Sequence, residues 1–356
     1  MEGDGPIGDF FTKGTDLSFR FIWRSVPLGY LQPIGPSPSL GVEMIIKAYA
    51  KINLSLDVLG RRDDGYHNIS SLMQDIGLYD IVNINKCSEN GAKYKALHCS
   101  ISKVDVYLCM SVDTIPLDEN NLAIKGARAV IEALEERELL GTIDAVSIEI
   151  DKRLPVAAGI AGGSGNAAAA MLGINALAGS PLSLRELMAI GAKVGADVPY
   201  SLMMNAKKNS TVLADLPGLL ESSTAAMMSG IGDIVEPVAP IFRYVIMANP
   251  GISVSTRAAY EAIDELQGYS DAVGLFTNHL EKYTLANYPE AAELKLTMEK
   301  KLHADKVLMS GSGPTMVAYY QDEDTARKDY ASMIDDGWLG PKGKAWLTVT
   351  GTNKEG

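Results

Sequence analysis

The sequence contains few of the residues that build disulfide frameworks and zinc sites. Its 356 residues include three cysteines and four histidines. The cysteines, Cys87, Cys99 and Cys109, are odd in number and have no CxxC spacing, which is typical of a protein in a reducing compartment. The sequence therefore argues against a disulfide-stapled scaffold, and it contains no recognisable zinc motif.

Positive charge and long apolar runs are also scarce. Lysine and arginine total 32 against 44 aspartate and glutamate residues, a formal net charge of −12, whereas a nucleic-acid-binding surface needs clustered cations. No apolar run reaches the roughly 20 residues that a membrane-spanning helix requires. We therefore expect neither a nucleic acid nor a membrane as partner, although backbone dipoles can still bind a small anion. The expected location is cytoplasmic, in a bacterium.

The chain is long enough for two domains, and its pattern changes along its length. Residues 1–43 contain several prolines and glycines and no sustained period, so we expect a flexible leader there. From Met44, strand and helix patterns alternate, which predicts an α/β (α+β) fold. We expect an N-terminal domain over 44–205, an inserted loop or hairpin over 206–224, and a C-terminal domain over 225–356.

Apolar periodicity and turn residues predict the individual elements. Helices are expected over 121–138, 166–178, 183–194, 256–266, 288–303 and 323–335. Strands are expected over 45–59, 80–85, 146–150, 234–238, 244–248, 306–309, 316–320 and 344–350, with weaker ones over 96–101 and 104–110. The stretch 69–76 is compatible with a strand or a helix. Ser183 followed by Glu186 is the pattern of a capping box.

The most informative segment is the small-residue stretch Leu154–Ala170. A strand pattern, Val146–Asp151, precedes it, and an alanine-rich helix pattern completes it. Glycines let the backbone approach a ligand closely, and the free N–H groups of a first helical turn attract an anion. The loop has neither the Gly-Lys-Ser/Thr ending of a Walker A sequence nor a Gly-x-Gly-x-x-Gly fingerprint. It therefore predicts a phosphate site of another kind, or a tight turn whose small residues only allow close packing.

Three further segments carry polar residues in positions that suit a site. Lys51 and Asn53 lie two apart in a strand pattern and so share one face; a solvated face is the alternative. Asp197 lies between small and apolar residues and precedes the rigid Pro199; an N-cap or turn aspartate is the alternative. A second small-residue loop, Ser310–Thr315, follows a strand pattern; a hairpin turn is the alternative.

Taken together and in this order, the segments resemble the GHMP family of small-molecule kinases. The resemblance runs from Met44 to the end of the chain and rests on four motifs, at 48–67, 154–168, 195–199 and 309–315. It implies a mixed α/β N-terminal domain, a ferredoxin-like C-terminal domain and an active site in the cleft between them. It also implies ATP and Mg²⁺ as cofactors, with the glycine loop in place of a Walker A sequence.

The resemblance also implies a reaction. The element Gly65-Tyr66-His67 is similar to that of family members whose acceptor carries cytidine. The implied reaction moves the γ-phosphoryl group of ATP to the C2 hydroxyl of a cytidine-diphosphate-linked methylerythritol. The alternatives are a family member acting on homoserine, mevalonate or a sugar, and a non-catalytic nucleotide-binding relative. We expect a monomer or a weak homodimer.

Single residues receive roles from the same resemblance. Asp197 matches the catalytic aspartate, which orients the acceptor hydroxyl and accepts its proton, and Lys51 matches the lysine paired with it. The implied substrate-binding residues are Asn53, Tyr66, His67, Thr256 and Tyr260, although packing into the core is the alternative for Tyr260. The implied ATP-binding residues are Pro155, Val156, Ala157, Ala158, Gly159, Ile160, Ala161, Gly162, Gly163, Ser164, Gly165, Asn166, Gly311, Ser312 and Gly313. Ser164 is also the implied contact for Mg²⁺.

The chain departs from the family pattern in a few places. Ala157, Ala158 and Ala161 stand where many relatives have glycine, and alanine fits there only if φ is negative, so we expect negative φ values. Gly165-Asn166 replaces a more usual Ser-Asn or Thr-Asp pair. The segments 88–103 and 206–224 look longer than in relatives.

Overall fold

The computed structural model describes residues 44–87, 97–115, 117–156, 158–266, 268–269, 274–339 and 341–351. The expected leader, Ala157 and most of the segment 88–103 lie outside the described residues. The strands are β1 (Met44–Asn53), β2 (Asp57–Arg61), β3 (His67–Lys86), β4 (Leu97–Ile101), β5 (Val104–Met110), β6 (Ala145–Asp151), β7 (Ala225–Ser229), β8 (Ile234–Val238), β9 (Arg243–Asn249), β10 (Lys306–Met309), β11 (Met316–Tyr320) and β12 (Lys344–Thr350). The helices are α1 (Leu122–Glu136), α2 (Gly162–Leu177), α3 (Leu184–Gly191), α4 (Val198–Lys208), α5 (Thr256–Leu266), α6 (Glu281–Asn287), α7 (Pro289–Lys301) and α8 (Glu323–Asp335).

The 20-residue strand β3 connects the two halves of the fold. Its residues 81–86 pair with β6 and its residues 71–74 with β7, while Ile76 pairs with Thr350 of β12. Strand β1 runs antiparallel to β3 over most of its length. The resulting sheet has the order β10-β11-β9-β12-β3-β6-β5-β4. The stretch 69–76, which the sequence left open, is therefore a strand.

The C-terminal half confirms the ferredoxin-like expectation. Its elements follow the order β9, helices, β10, β11, α8 and β12, which is the β-α-β-β-α-β motif. All its strand pairs are antiparallel, with β9 between β11 and β12. One hydrophobic core lies between these strands and the helices α5 to α8.

A separate hydrophobic core lies in the N-terminal half, where α1 and α2 pack on the sheet. Alanine is common in α2 because the helix lies very close to its neighbours: a Cβ atom on Gly173 would be 2.6 Å from the side chain of Ile84. Ala167–Ala170 are fully buried there. None of the described helices has the length and apolar character needed to cross a membrane.

The segment 206–224 was expected to be an inserted loop or a hairpin, and the structure shows no hairpin there. It begins in the last turn of α4, continues through turns and ends near a short 3-10 helix at Leu219–Glu221. The sequence pattern failed here because polar residues of α4 are buried: Lys208 is 4% exposed and Asn205 is fully buried. By contrast, the capping box at Ser183 and Glu186 is confirmed.

Candidate active site

Lys51 and Asp197 meet where β1 ends and α4 begins. The Nζ atom of Lys51 lies 3.6 Å from Oδ2 of Asp197, and the two side chains are 4% and 32% exposed. Asp197 occupies the N-cap position of α4 but makes no side-chain capping bond. Its carboxylate therefore does not cap the helix, which was the alternative interpretation. It lies instead beside the nearly buried ammonium group of Lys51.

A chain of polar side chains holds the Lys51 ammonium in place. Lys51 Nζ donates to Oδ1 of Asn53 at 2.8 Å, and Nδ2 of Asn53 donates to Oγ of Ser71 at 2.8 Å. The Ser71 hydroxyl in turn donates to the carbonyl oxygen of Ser55 at 2.6 Å. All four side chains are buried, so Lys51 and Asn53 do not form the solvated face that was their alternative. Ser71 and Ser55 were not recognised from the sequence.

The glycine loop is tied directly to the strand that carries Lys51. The backbone N–H of Lys51 donates to the carbonyl oxygen of Ile160 at 3.1 Å. Helix α2 begins two residues later, at Gly162, so the N–H groups of Gly162, Gly163 and Ser164 belong to its first turn. These groups have no partner within a helix, and together with the helix dipole they favour an anion beside Lys51.

Ala161 adopts a left-handed conformation, which corrects the expectation of a negative φ. Its φ and ψ are 56° and 31°, and it occupies the N-cap position of α2. The carbonyl oxygen of Ala161 accepts the N–H of Gly165 at 2.8 Å, so the helix begins directly after it. An alanine in this region costs roughly 1–2 kcal/mol relative to the right-handed form. The loop forms nonetheless, with local strain at this residue.

The second small-residue loop contacts the first. Oγ of Ser310 donates to the carbonyl oxygen of Gly159 at 3.1 Å. A Cβ atom on Gly311 would lie 3.1 Å from that same oxygen and 3.6 Å from Oδ1 of Asn53. The loop does connect the antiparallel pair β10 and β11, as the hairpin alternative required. At Gly311 it also approaches the side chain of Asn53, which accepts the hydrogen bond from Lys51.

Side chains of the C-terminal half brace this second loop. Oγ1 of Thr256 lies 2.7 Å from Oγ of Ser312, and the hydroxyl of Thr284 donates to the Ser312 carbonyl oxygen at 3.0 Å. Nδ2 of Asn278 donates to the carbonyl oxygens of Met309 and Gly311 at 2.8 and 2.7 Å. The position of the loop is therefore set by α5, α6 and the segment between them.

His67 and Tyr260 form a stacked pair, and Tyr260 lies close enough to Asp197 for the carboxylate to affect its pKa. Their rings are stacked, with centroids 4.9 Å apart and an interplanar angle of 29°. Burial, and next the negative charge of Asp197, raises the pKa of Tyr260 to about 12. Tyr260 also packs against the C-terminal core, as the alternative interpretation expected, and its contact with substrate stays a prediction. Tyr66 is 62% exposed and therefore available to a ligand.

Asp264 fixes the orientation of the His67 ring. Its Oδ1 lies 2.7 Å from Nε2 of His67 and accepts a hydrogen bond from the hydroxyl of Tyr269 at 2.9 Å. Burial raises the pKa of Asp264, but the hydrogen bonds from these two residues and the charge of Arg61 outweigh it and hold the pKa below its usual range. Asp264 lies four residues after Tyr260 on α5 and thus on the same helix face. That spacing is the signal that could have identified it.

A buried ion pair holds the segment that leads into the glycine loop. Nζ of Lys152 lies 2.6 Å from Oδ2 of Asp80, and the two side chains are 3% and 0% exposed. Oδ1 of Asp80 accepts the backbone N–H groups of Arg153 and Leu154 at 2.7 and 2.8 Å. A Cβ atom on Gly162 would lie 3.0 Å from Lys152 Nζ. The ammonium group of Lys152, neutralised by Asp80, thus lies beside the start of α2, a position that the sequence pattern did not reveal.

Known proteins share this sequence and fold. The sequence-family model described as "GHMP kinases N terminal domain" matches residues 121–205. The one described as "GHMP kinases C terminal" matches residues 256–337. The curated 4-diphosphocytidyl-2-C-methyl-D-erythritol kinase of Alkaliphilus metalliredigens is 34% identical over 306 residues, which are 81% of this chain and 91% of the relative. The chain belongs to the GHMP kinase family.

Other GHMP kinases extend the comparison. The 4-diphosphocytidyl-2-C-methyl-D-erythritol kinase of Geobacillus kaustophilus is 34% identical over 309 residues, 82% of this chain and 93% of the relative. A crystal structure of 4-(cytidine 5'-diphospho)-2C-methyl-D-erythritol kinase has a TM-score of 0.62 and 26% identity, covering 87% of this chain and 100% of that one. The homoserine kinase of Cytophaga hutchinsonii, with a TM-score of 0.56, 16% identity and coverage of 91% and 98%, shares the fold.

The GHMP fold of this chain offers few protein ligands for a metal ion. Among the described residues, no three His, Cys, Asp or Glu side chains form a cluster that could hold one. Ser164 lies in the first turn of α2 and is a partly exposed residue. Oδ1 of Asn166, at the start of the next turn, is buried and has no hydrogen-bond partner in the described part of the chain. Such a donor set fits an oxygen-seeking ion held mainly by phosphate groups.

Proposed function

We propose that this GHMP kinase transfers the γ-phosphoryl group of ATP to the C2 hydroxyl of 4-diphosphocytidyl-2-C-methyl-D-erythritol, giving the 2-phosphate and ADP. This is a step of the non-mevalonate route to isoprenoid precursors. The observation that carries the proposal is the 3.6 Å approach of Lys51 Nζ to Asp197 Oδ2 beside a glycine loop at a helix N-terminus. The two relatives at 34% identity, both 4-diphosphocytidyl-2-C-methyl-D-erythritol kinases, support the choice of acceptor.

Lys51 and Asp197 would carry the transfer itself. Phosphoryl transfer needs alignment of the reacting groups and neutralisation of charge more than covalent chemistry. Asp197, which is partly exposed, would orient the acceptor hydroxyl and accept its proton. Lys51, which is nearly buried and held by Asn53, would stabilise negative charge on the hydroxyl oxygen and on the moving phosphoryl group. Asn53 would contact the same hydroxyl.

ATP would lie along the glycine loop with its phosphates at the start of α2. The loop residues from Pro155 to Asn166 would bind its phosphates and ribose side, and Gly311, Ser312 and Gly313 would close the site from the C-terminal half. Bound Mg²⁺ would neutralise charge on the phosphate oxygens, with Ser164 as its protein contact. The Lys152–Asp80 pair supports this placement, because Asp80 accepts the backbone N–H groups of Arg153 and Leu154 and so fixes the start of the loop.

The cytidine part of the acceptor would bind at Tyr66, His67 and Tyr260. An exposed aromatic ring and a stacked pair can hold a base between planar faces, and a histidine fixed by Asp264 can read its polar edge. Thr256 remains a predicted substrate contact, and its hydroxyl is bonded to that of Ser312. A cytoplasmic location and a monomeric or weakly dimeric state also remain predictions.

Two alternatives are less well supported. A GHMP kinase acting on homoserine, mevalonate or a sugar has no need of the Tyr66–His67 element, and the solved homoserine kinase is only 16% identical. A nucleotide-binding relative without turnover has no need of a lysine and an aspartate held 3.6 Å apart.

The experiment is an ATP-to-ADP turnover assay with the purified protein, Mg²⁺ and 4-diphosphocytidyl-2-C-methyl-D-erythritol, run in parallel with homoserine and mevalonate. Turnover with the cytidylyl acceptor alone is the expected result. Turnover with another acceptor instead would reject the substrate while keeping the kinase chemistry. ATP binding without turnover on any acceptor would reject the catalytic proposal.

A further inference from the structure

One edge of β1 is covered by side chains and by a loop instead of by a strand. β1 pairs with β3 along its other edge. On the covered edge, the backbone N–H groups of Lys47 and Tyr49 donate to side-chain amides of residues 209 and 205, and that of Lys51 donates to Ile160 of the glycine loop. An open strand edge exposes unpaired backbone groups, so this cover satisfies them.

Two asparagines at the end of α4 provide the amides. Oδ1 of Asn205 accepts the N–H of Tyr49 at 2.9 Å. Oδ1 of Asn209 accepts the N–H of Lys47 at 2.9 Å, and its Nδ2 donates to the Lys47 carbonyl oxygen at 3.0 Å. Asn209 thus exchanges two hydrogen bonds with Lys47, as a residue of a neighbouring antiparallel strand would.

The spacing of these contacts keeps helix and strand in register. Asn205 and Asn209 are four residues apart, which is a rise of about 6 Å along a helix. Tyr49 and Lys47 are two residues apart, which is about 6.6 Å along a strand. The helix runs antiparallel to β1, so every four residues back along the helix correspond to two residues forward along the strand. Two such steps from the pair 205 and 49 bring residue 197 level with residue 53. Lys51 Nζ lies at that level, because it is bonded to the Asn53 side chain.

We infer that Asn205 and Asn209 are positioning residues that set the distance between Asp197 and Lys51. Asp197 precedes α4, and Lys51 belongs to β1. A change in how α4 lies along β1 therefore moves the carboxylate relative to the ammonium group. The inference rests on the proposed phosphoryl transfer, in which those two groups act together.

The two asparagines satisfy the strand edge, but at a cost in stability. Nδ2 of Asn205 is buried and has no hydrogen-bond partner in the described part of the chain, and an unsatisfied buried donor destabilises a protein by about 1–3 kcal/mol. Next to it, the side chain of Lys208 is 2% exposed, with Nζ 3.5 Å from Oδ2 of Asp75 and 4.7 Å from the centre of the Tyr49 ring. Polar contacts thus hold the end of α4 on β1 and β3. Apolar side chains at these positions would bury no polar group that needs a partner.

The first test measures the kinetics of Asn205→Ala and Asn209→Ala. Misplacing a catalytic group by an ångström can slow a reaction by about a hundredfold. We expect kcat to fall by about tenfold or more, with KM for ATP and for the acceptor changed by less than about threefold, because the contacts to both substrates remain. If the alanine variants fail to fold, Asn209→Gln replaces them. It keeps the amide but lengthens the side chain, and it should lower kcat by a similar factor.

Asn175→Ala is the matched control. Asn175 is fully buried in α2 and exchanges the same pair of hydrogen bonds with the backbone of Leu182, at 2.9 and 3.1 Å. It should lower the unfolding temperature as the other variants do and leave kcat within about twofold of the wild type. A similar loss of kcat in this control would overturn the inference, because the effect would then be one of general stability.

A double-mutant cycle separates positioning from structure. In the Asp197→Asn background, Asn209→Ala should have little further effect on kcat, because the group that it positions no longer acts as a base. An equal fold-loss in both backgrounds would overturn the inference.

Hydrogen exchange provides a reading that does not require activity. The amides of Lys47 and Tyr49 should exchange faster in the asparagine variants, while those of β6 stay protected. Unchanged exchange at both amides would overturn the inference. A wild-type protein without turnover would reject the proposed function and would leave this measurement of the α4 contact intact.

Discussion

The Ser310 hydroxyl donates a hydrogen bond to the carbonyl oxygen of Gly159 at 3.1 Å, although the two residues are 151 positions apart. Their backbones approach so closely that a Cβ atom on Gly159 would lie 2.5 Å from the Ser310 carbonyl oxygen. Gly159 also has a φ of +74°, which favours glycine. The two small-residue loops therefore meet without room for a side chain.

Gly159→Ala should separate these loops. The variant combines left-handed strain with a steric conflict against backbone, so the free energy of unfolding should fall by about 2 kcal/mol or more. ATP should bind more weakly, because the glycine loop has to move away from its proposed phosphate-binding position. Urea unfolding and ATP titration measure the two effects.

Gly141→Ala controls for the strain alone. Gly141 has a φ of +64°, and a Cβ atom there would meet nothing within 4 Å. It should lower the free energy of unfolding by about 1 kcal/mol and leave ATP affinity unchanged. Equal losses in both variants would show that the contact with Ser310 has no energetic importance.

Ala161→Gly should stabilise the protein. Ala161 has a φ of +56° at the start of α2, and glycine removes that strain, for a gain of up to about 1 kcal/mol after the entropy of the unfolded chain is included. Ala168→Gly, in the middle of α2, should instead lower the free energy of unfolding by about 1 kcal/mol. Thermal unfolding of both variants measures the difference, and a loss of stability in Ala161→Gly would contradict the left-handed conformation.

Asp197→Asn should abolish most turnover while ATP binding persists. Asparagine keeps the size of the side chain but cannot accept the hydroxyl proton, and the loss of a general base lowers kcat by about a hundredfold or more. Asp324→Asn, the same chemical change on the exposed first turn of α8, should leave kcat unchanged. A full rate in Asp197→Asn would exclude proton transfer to this carboxylate.

The contribution of Asp264 to stability should depend on pH. Its pKa in the folded protein lies below the usual value, chiefly because His67 and Tyr269 donate to it against the effect of burial. A lowered pKa in the folded state stabilises the protein above the unfolded pKa of about 4, and this stability is lost as the pH falls through the lowered value. Wild type and Asp264→Asn should therefore differ most in free energy of unfolding near neutral pH and least in acid.

Urea unfolding of the two proteins across this range checks the sign. A difference that stays constant from neutral pH down to about pH 3 would contradict the lowered pKa of Asp264.

Local sequence patterns were enough to locate most elements and the motifs of the site. The bounds of β10, β11, α8 and β12 agree with the prediction residue by residue, because apolar periodicity reports which side of a short segment is buried. The capping box at Ser183 was also predicted, since its partners are three residues apart. Lys51, Asp197 and both small-residue loops were recognised through the family resemblance, and the structure brings them together.

Tertiary contacts decided the rest. Three features have no local signature: the left-handed Ala161, the buried pair of Asp80 and Lys152, and the contacts that hold α4 on β1. The spacing of Asp264 from Tyr260 marks a helix face, but it does not reveal that Asp264 pairs with His67. In each case a polar or strained group is stabilised by a partner 72 to 197 positions away, or by the docking of a whole helix. A residue's own neighbours in sequence reveal its average burial, but only packing supplies the particular donor or charge that makes a buried polar group stable.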